Sequence, residues 1–227
     1  AYDIVIGRTP ADKSKFGTQG TIFLGRHYVK MGELISLSNK VLMDVARTHV
    51  VLVTGKRGWG KSYSLSVIAE EMVSLPEEIS KNLSIVMLDT MGVFWTMKYP
   101  NNRDQDLLEE WNLKPRGLNI NMYVPIGFFN EYKETGLPAD KQFAIKTNEL
   151  DASDWCDVFG ISLTDQIGVL IEKNIEQVKK QKHEYEIKDI IENITKDKTT
   201  TQSIKDAAIN RFQNASKWGL LSKEGME

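Results

Sequence analysis

With 227 residues, 41% of them apolar and 26% charged, the chain has the composition of an ordinary globular protein large enough to bury a sizeable core. Its 29 basic and 31 acidic residues leave a formal net charge of −2, so the total carries no strong field toward nucleic acid. The single cysteine, Cys156, excludes an internal disulfide, and no run approaches the roughly 18 apolar residues that span a bilayer; the expectation is no membrane partner and a cytoplasmic location.

Residues 4–7 open with a short apolar run, and the Lys/Gly/Thr-rich stretch that follows, as far as Gly20, reads as an exposed loop. Residues 21–30 and 41–45 read as strands, with Gly25 and Gly32 at bends and His27 near a strand end, where a structural role is favoured over contact with a base. Residues 1–48 are therefore expected to form a short β-rich leading segment, and 49–227 a portion of a second, nucleotide-binding domain. Residues 1–75 hold ten Lys or Arg against six Asp or Glu, a local surplus that permits contact with nucleic-acid phosphates without demanding it.

The second domain begins on its most informative stretch. Residues 50–62 read Val-Val-Leu-Val-Thr-Gly-Lys-Arg-Gly-Trp-Gly-Lys-Ser, and Gly55, Gly60, Lys61 and Ser62 satisfy the G-x-x-x-x-G-K-[ST] pattern of a phosphate-binding P-loop. An apolar β-branched run, residues 50–54, is expected as a buried strand before the loop, and residues 64–74 have the apolar spacing of a helix after it, which is the context the pattern needs. Gly55, Gly58 and Gly60 let backbone N–H groups turn toward phosphate oxygens, and the helix aims its positive end at the same anion. Lys61 is then expected at the β/γ-phosphates of a nucleoside triphosphate and Ser62 on Mg2+; Tyr63, the next residue of the loop, is counted with the nucleotide-binding set.

Residues 83–89 (Leu-Ser-Ile-Val-Met-Leu-Asp) form a second apolar run expected as a strand of a parallel sheet, with Asp89 at its carboxyl end. Asp89 admits two readings. It is either the carboxylate of a Walker B strand, holding the Mg2+ shell, or the end of the next strand in a core whose Walker B strand comes much later; Thr90, where Glu usually follows, favours the second. A short helix is expected at 101–111, a third strand at 118–124 and an irregular excursion at 128–142. Four helical stretches then read as 149–160, 162–181, 184–195 and 201–219, the second capped within 162–165 and the last stopped at Gly219. Cys156 reads as a packed core thiol and the Lys179–His183 run as surface; Asn82, Asn193 and Asn214 are sequons of the kind chance supplies.

Residues 20–30, 37–44, the loop 55–63, the segment Met87-Leu-Asp-Thr-Met-Gly92 and Asn210-Arg211-Phe212 with Trp218-Gly219-Leu220 together resemble archaeal ATPases of the HerA type, in the FtsK/HerA group of DNA-pumping motors. The resemblance implies a RecA-like, mostly parallel α/β sheet, a homo-hexameric ring, ATP with Mg2+, duplex DNA as the translocated substrate and a NurA-type nuclease as partner in DNA end processing. It carries phosphate and magnesium roles to Gly55, Gly58, Gly60, Lys61 and Ser62, and matches Asp89 to the Asp of the family's Asp-Pro-His-Gly-Glu-Tyr stretch. Thr90 and Met91 stand where that stretch has Pro-His, and Val93 where it has the acidic residue, so no carboxylate is expected there.

Such proteins carry the Walker B Asp-Glu and the arginine finger farther along than the matched region. The chain is accordingly expected to be the N-terminal portion of a longer motor domain with an incomplete core, hydrolysing ATP poorly by itself. Two readings from other classes stand beside this one: a small-molecule P-loop kinase with Asp89 at the metal shell, and a non-catalytic, nucleotide-gated assembly module.

Overall fold

A computed structural model describes residues 2–32, 34–223 and 225, and the chain divides into two compact units, Ala1–Ile120 and Asn121–Glu227. The leading β-rich segment and the P-loop therefore lie in one unit. Among the described residues, no helix is long and apolar enough to cross a membrane.

In the first unit, β1 (Ile4–Ile6) pairs parallel with β3 (Leu34–Asp44), which pairs antiparallel with β2 (Thr21–Met31), giving the order β1-β3-β2. A register shift at Phe23/Gly25 bends β2 where Gly25 was expected to mark a bend. Between β1 and β2 the expected loop instead contains α1 (Pro10–Phe16). Its signals are local: Thr9 caps the Asp12 N–H, Pro10 occupies the first turn, where its missing donor costs nothing, and Asp12 faces the positive helix end. Then come α2 (Lys61–Val73), the P-loop helix, which lies against β2, α3 (Glu77–Ser80), a 3-10 turn at Phe94–Lys98 and α4 (Gln105–Glu110). Ile22, Leu42, Met43 and Ala69 are buried in this unit.

The expected strands at 50–54 and 83–89 do not form. In residues 83–89, Leu83, Ile85, Met87 and Asp89 are half-buried in alternation with exposed neighbours, the burial pattern of a strand with one covered face. What they lack is a ladder partner: Val86 and Leu88 are 80% and 87% exposed, and Val50 and Leu52 are 99% and 84% exposed. An extended segment becomes a strand only by exchanging backbone hydrogen bonds with a neighbour, and propensity alone does not supply one. The third expected strand, 118–124, shrinks to β4 (Tyr123–Pro125). The described residues thus form a mixed α/β structure with small sheets, and the RecA-like sheet expected from the sequence is not among them.

The second unit holds β4, α5 (Phe129–Glu134), β5 (Lys141–Phe143), β6 (Ile145–Lys146), α6 (Ala152–Phe159), α7 (Gln166–Gln181), α8 (Ile187–Lys196), α9 (Gln202–Ala215) and β7 (Leu221–Ser222). The pairs β4/β5 and β6/β7 are parallel. All four long helical stretches form close to their expected positions, because each carries an apolar stripe that the others cover. Trp155, Cys156, Leu170, Ile171, Ile175, Ile190, Ile194 and Phe212 make one core, and Cys156, 1% exposed, is the packed thiol its neighbours suggested. Gly168 is required by packing: a Cβ there would meet the Ser162 carbonyl oxygen at 2.2 Å, so the start of α7 sits directly on the preceding turn.

Asp197 closes the turn between α8 and α9. Its Oδ1 accepts the Thr199 and Thr200 N–H groups at 2.8 and 2.9 Å, and its Oδ2 accepts Lys173 Nζ at 2.5 Å. The Lys173 hydrogen bond, aided by those from Thr199 and Thr200, holds the Asp197 carboxyl far below the ordinary carboxylate range despite its burial. A carboxylate depressed on folding stabilises the native state above its unfolded pKa, about 3.9, and loses that contribution as pH falls toward the folded value. The melting temperature should therefore decline below about pH 5, and Asp197→Asn should both cost about 1–3 kcal/mol at pH 7 and flatten that acid limb. An unchanged acid limb in calorimetric melts of the variant would contradict this assignment.

Candidate functional site

The backbone of residues 55–61 explains its own glycines. Gly58 and Gly60 have φ of 83° and 77°, left-handed conformations that cost a residue with a Cβ about 1–2 kcal/mol, and a Cβ at either would project into open space. Conformation, not crowding, selects glycine there. Gly55 differs: its φ is not positive, and a Cβ would meet Trp59 Cβ at 3.6 Å, an ordinary contact.

Gly60 is the N-cap of α2 and, having no side chain, leaves the first-turn N–H groups without a side-chain acceptor. These donors and the positive end of a 13-residue helix face the loop. Lys61, the first helical residue, folds back so that its Nζ donates to the Lys56 carbonyl at 2.9 Å, placing its cation over the loop's own concavity. Ser62 follows, exposed, in the first turn. Trp59 and Tyr63, 72% and 67% exposed, flank the loop, with Lys56 Nζ 5.9 Å from the Trp59 ring centre. The arrangement offers N–H donors, an ammonium and a hydroxyl in one place, a donor set suited to a polyphosphate.

The segment entering the loop is anchored by a buried ion group. Arg8 donates through Nε to Asp44 Oδ1 at 3.0 Å and through Nη2 to the same oxygen, while His49 Nε2 lies 2.8 Å from Asp44 Oδ2. Burial alone would raise the Asp44 carboxyl, but the hydrogen bonds from His49 and Arg8 outweigh it and hold the group below its usual range. Since His49 immediately precedes Val50, this group ties the approach to the P-loop to the ends of β1 and β3. Arg8 lies 36 residues before Asp44, and no sequence pattern joins the two.

Asp89 has a definite local role. Its Oδ1 accepts the Val93 N–H at 3.0 Å and its Oδ2 the Phe94 N–H at 2.7 Å, so it closes the turn that launches the 3-10 helix Phe94–Lys98. No hydrogen bond or ion pair among the described residues joins Asp89 to Lys61 or Ser62. No group of three or more His, Cys, Asp or Glu among the described residues is placed to hold a metal ion.

Comparison with known proteins gives one result. The family model described as "Helicase HerA, central domain" matches residues 29–224. No curated protein and no solved structure matches the chain.

Proposed function

The chain belongs to the HerA central-domain family of ATPases, and on that footing we propose that it forms the nucleotide-binding part of an ATP-driven motor that moves on duplex DNA. The observation that carries the proposal is the loop itself: two left-handed glycines run into a helix whose first residues are Lys61 and Ser62. Backbone N–H groups of Gly58, Gly60 and Lys61 and the Lys61 ammonium hold the β- and γ-phosphates in place for attack by water, while the Trp59 N–H donates to the Lys56 carbonyl within the loop. Ser62 would hold Mg2+, which when bound neutralises charge on the transferred phosphoryl group. Asp89 keeps acceptor capacity beyond the two bonds to its own turn, the capacity a metal-bound water would use.

The partner surfaces follow from the same reading. A homo-hexameric ring would place each site against a neighbouring subunit, which supplies an arginine to the transition state, and would enclose duplex DNA; a NurA-type nuclease would act on the ends delivered. The ten-to-six surplus of basic residues in residues 1–75 suits contact with DNA phosphates.

The test is ADP release measured with and without duplex DNA over a salt series. We expect hydrolysis to rise with DNA and the stimulation to fall by orders of magnitude between about 50 and 200 mM salt. ADP formed only on addition of a small phosphate acceptor would mark the protein as a kinase instead.

A further inference from the structure

Helix α2 carries Tyr63, Ser66, Val67 and Glu70 on one face, at the i, i+3, i+4, i+7 spacing of a helical stripe. That face walls a cleft of about 710 Å3, within the size range of small-molecule sites. The turn Phe94–Lys98 with Tyr99 supplies a second wall and residues 114–118 a third. The stripe runs about 10 Å along the helix, starting at the residue that directly follows Ser62.

The three walls are tied to one another. Arg116 donates through Nε to Glu70 at 3.2 Å and through Nη2 to Ser74, fixing the third wall to α2. The Leu118 N–H donates to the Met97 carbonyl at 2.8 Å, joining the third wall to the second. Gly117 is obligatory at that crossing, since a Cβ would meet the Lys98 carbonyl oxygen at 2.2 Å. Asp89 fixes the start of the second wall through its bonds to Val93 and Phe94. The cleft is thus built in advance of any ligand.

Its lining indicates the ligand. Tyr63 and Tyr99 are 67% and 55% exposed, and Trp95 meets Tyr99 edge-on at 6.0 Å. Two exposed tyrosines and the half-buried Trp95 grouped in one cleft suit a flat ring, which stacks on aromatic faces. Glu70 pairs with Arg116 and Lys114 adds one cation, so the lining is mainly aromatic, apolar and polar, which matches a heterocycle and its sugar.

We propose that this cleft receives the base and ribose of the nucleotide whose phosphates lie on residues 55–62, with Tyr63 and Trp95 as the stacking faces. The proposal rests on the phosphate-binding reading of the P-loop, and its test separates the two. ATP and inorganic tripolyphosphate, each with Mg2+, are titrated calorimetrically into the wild-type chain, Trp95→Ala and Tyr63→Ala. Tyr63 is exposed on a helix surface, so its variant folds even if loss of Trp95 disturbs the second wall.

The expected result is tighter wild-type binding of ATP than of tripolyphosphate. Tyr63→Ala should weaken ATP about tenfold or more and leave tripolyphosphate within twofold, and a folded Trp95→Ala should do the same. Unchanged ATP affinity in Tyr63→Ala, or equal losses for both ligands, overturns the base site while leaving the P-loop reading intact. Failure of the wild type to bind either ligand removes the P-loop reading, and this proposal with it.

Discussion

Lys61→Ala is expected to weaken ATP binding by about 10- to 100-fold and to lower hydrolysis by at least about 100-fold, with no matching loss of stability. The separation follows from what Lys61 touches. Its ammonium donates to the Lys56 carbonyl of an exposed loop, and an exposed bond of that kind contributes little to folding, so the melting temperature should stay within the range of a neutral surface change, about 0.5 kcal/mol. Against a polyphosphate the same ammonium meets concentrated negative charge, and charge-assisted hydrogen bonds are worth roughly twice neutral ones. Lys61→Arg should not restore function, because a planar fork cannot occupy the compact position of an ammonium. Equilibrium titration with ATP and a thermal melt on the same sample check both halves; ATP affinity within twofold of wild type would remove Lys61 from the site.

The loop and its helix could be read from the sequence because the chemistry is local. Gly58, Gly60, Lys61 and Ser62 are adjacent along the chain, and their spacing encodes the turn and the helix start directly. The same holds for α7, α8 and α9, whose stripes are written at helical spacing and whose burial follows once they pack together. α1 was equally legible in principle, since Thr9, Pro10 and Asp12 form a local start signal, but a seven-residue helix with no buried residue lacks the apolar stripe that draws attention.

The segments at 50–54 and 83–89 show the opposite limit. The β-branched composition of the first and the alternating burial of the second are strand-like, yet a strand is a relation between two segments, and composition specifies only one of them. The Arg8–Asp44–His49 group and the cleft walls were not readable for a related reason: Arg8 and Asp44 are 36 residues apart, and Arg116 and Glu70 are 46. No spacing rule reaches that far. Cys156 lies between these cases, since its apolar neighbour Trp155 and helical setting pointed to the core without saying which helices would cover it.

The second unit offers the largest expected loss of stability. Phe212 is fully buried on α9, with ring centres 5.0 Å from Trp155 and 5.2 Å from Phe159, both edge-on. Phe212→Ala removes one of three mutually contacting rings, and the other two belong to α6, whose ends are set by its capping box at Asp151 and by Gly160. The cavity therefore cannot close by a simple shift of that helix, which places the cost at the upper part of the usual range, about 3–5 kcal/mol. A unit of about 107 residues has roughly 5–15 kcal/mol in hand, so the variant should remain folded at 25 °C but melt at least about 12 °C lower. Val158→Ala, at a 60%-exposed position on the same α6, should shift stability by no more than about 0.5 kcal/mol and serves as the control. Hydrogen exchange at the α9 amides should report the same loss locally, and a Phe212→Ala variant within about 1 kcal/mol of wild type would show that the three rings do not form the centre of this core.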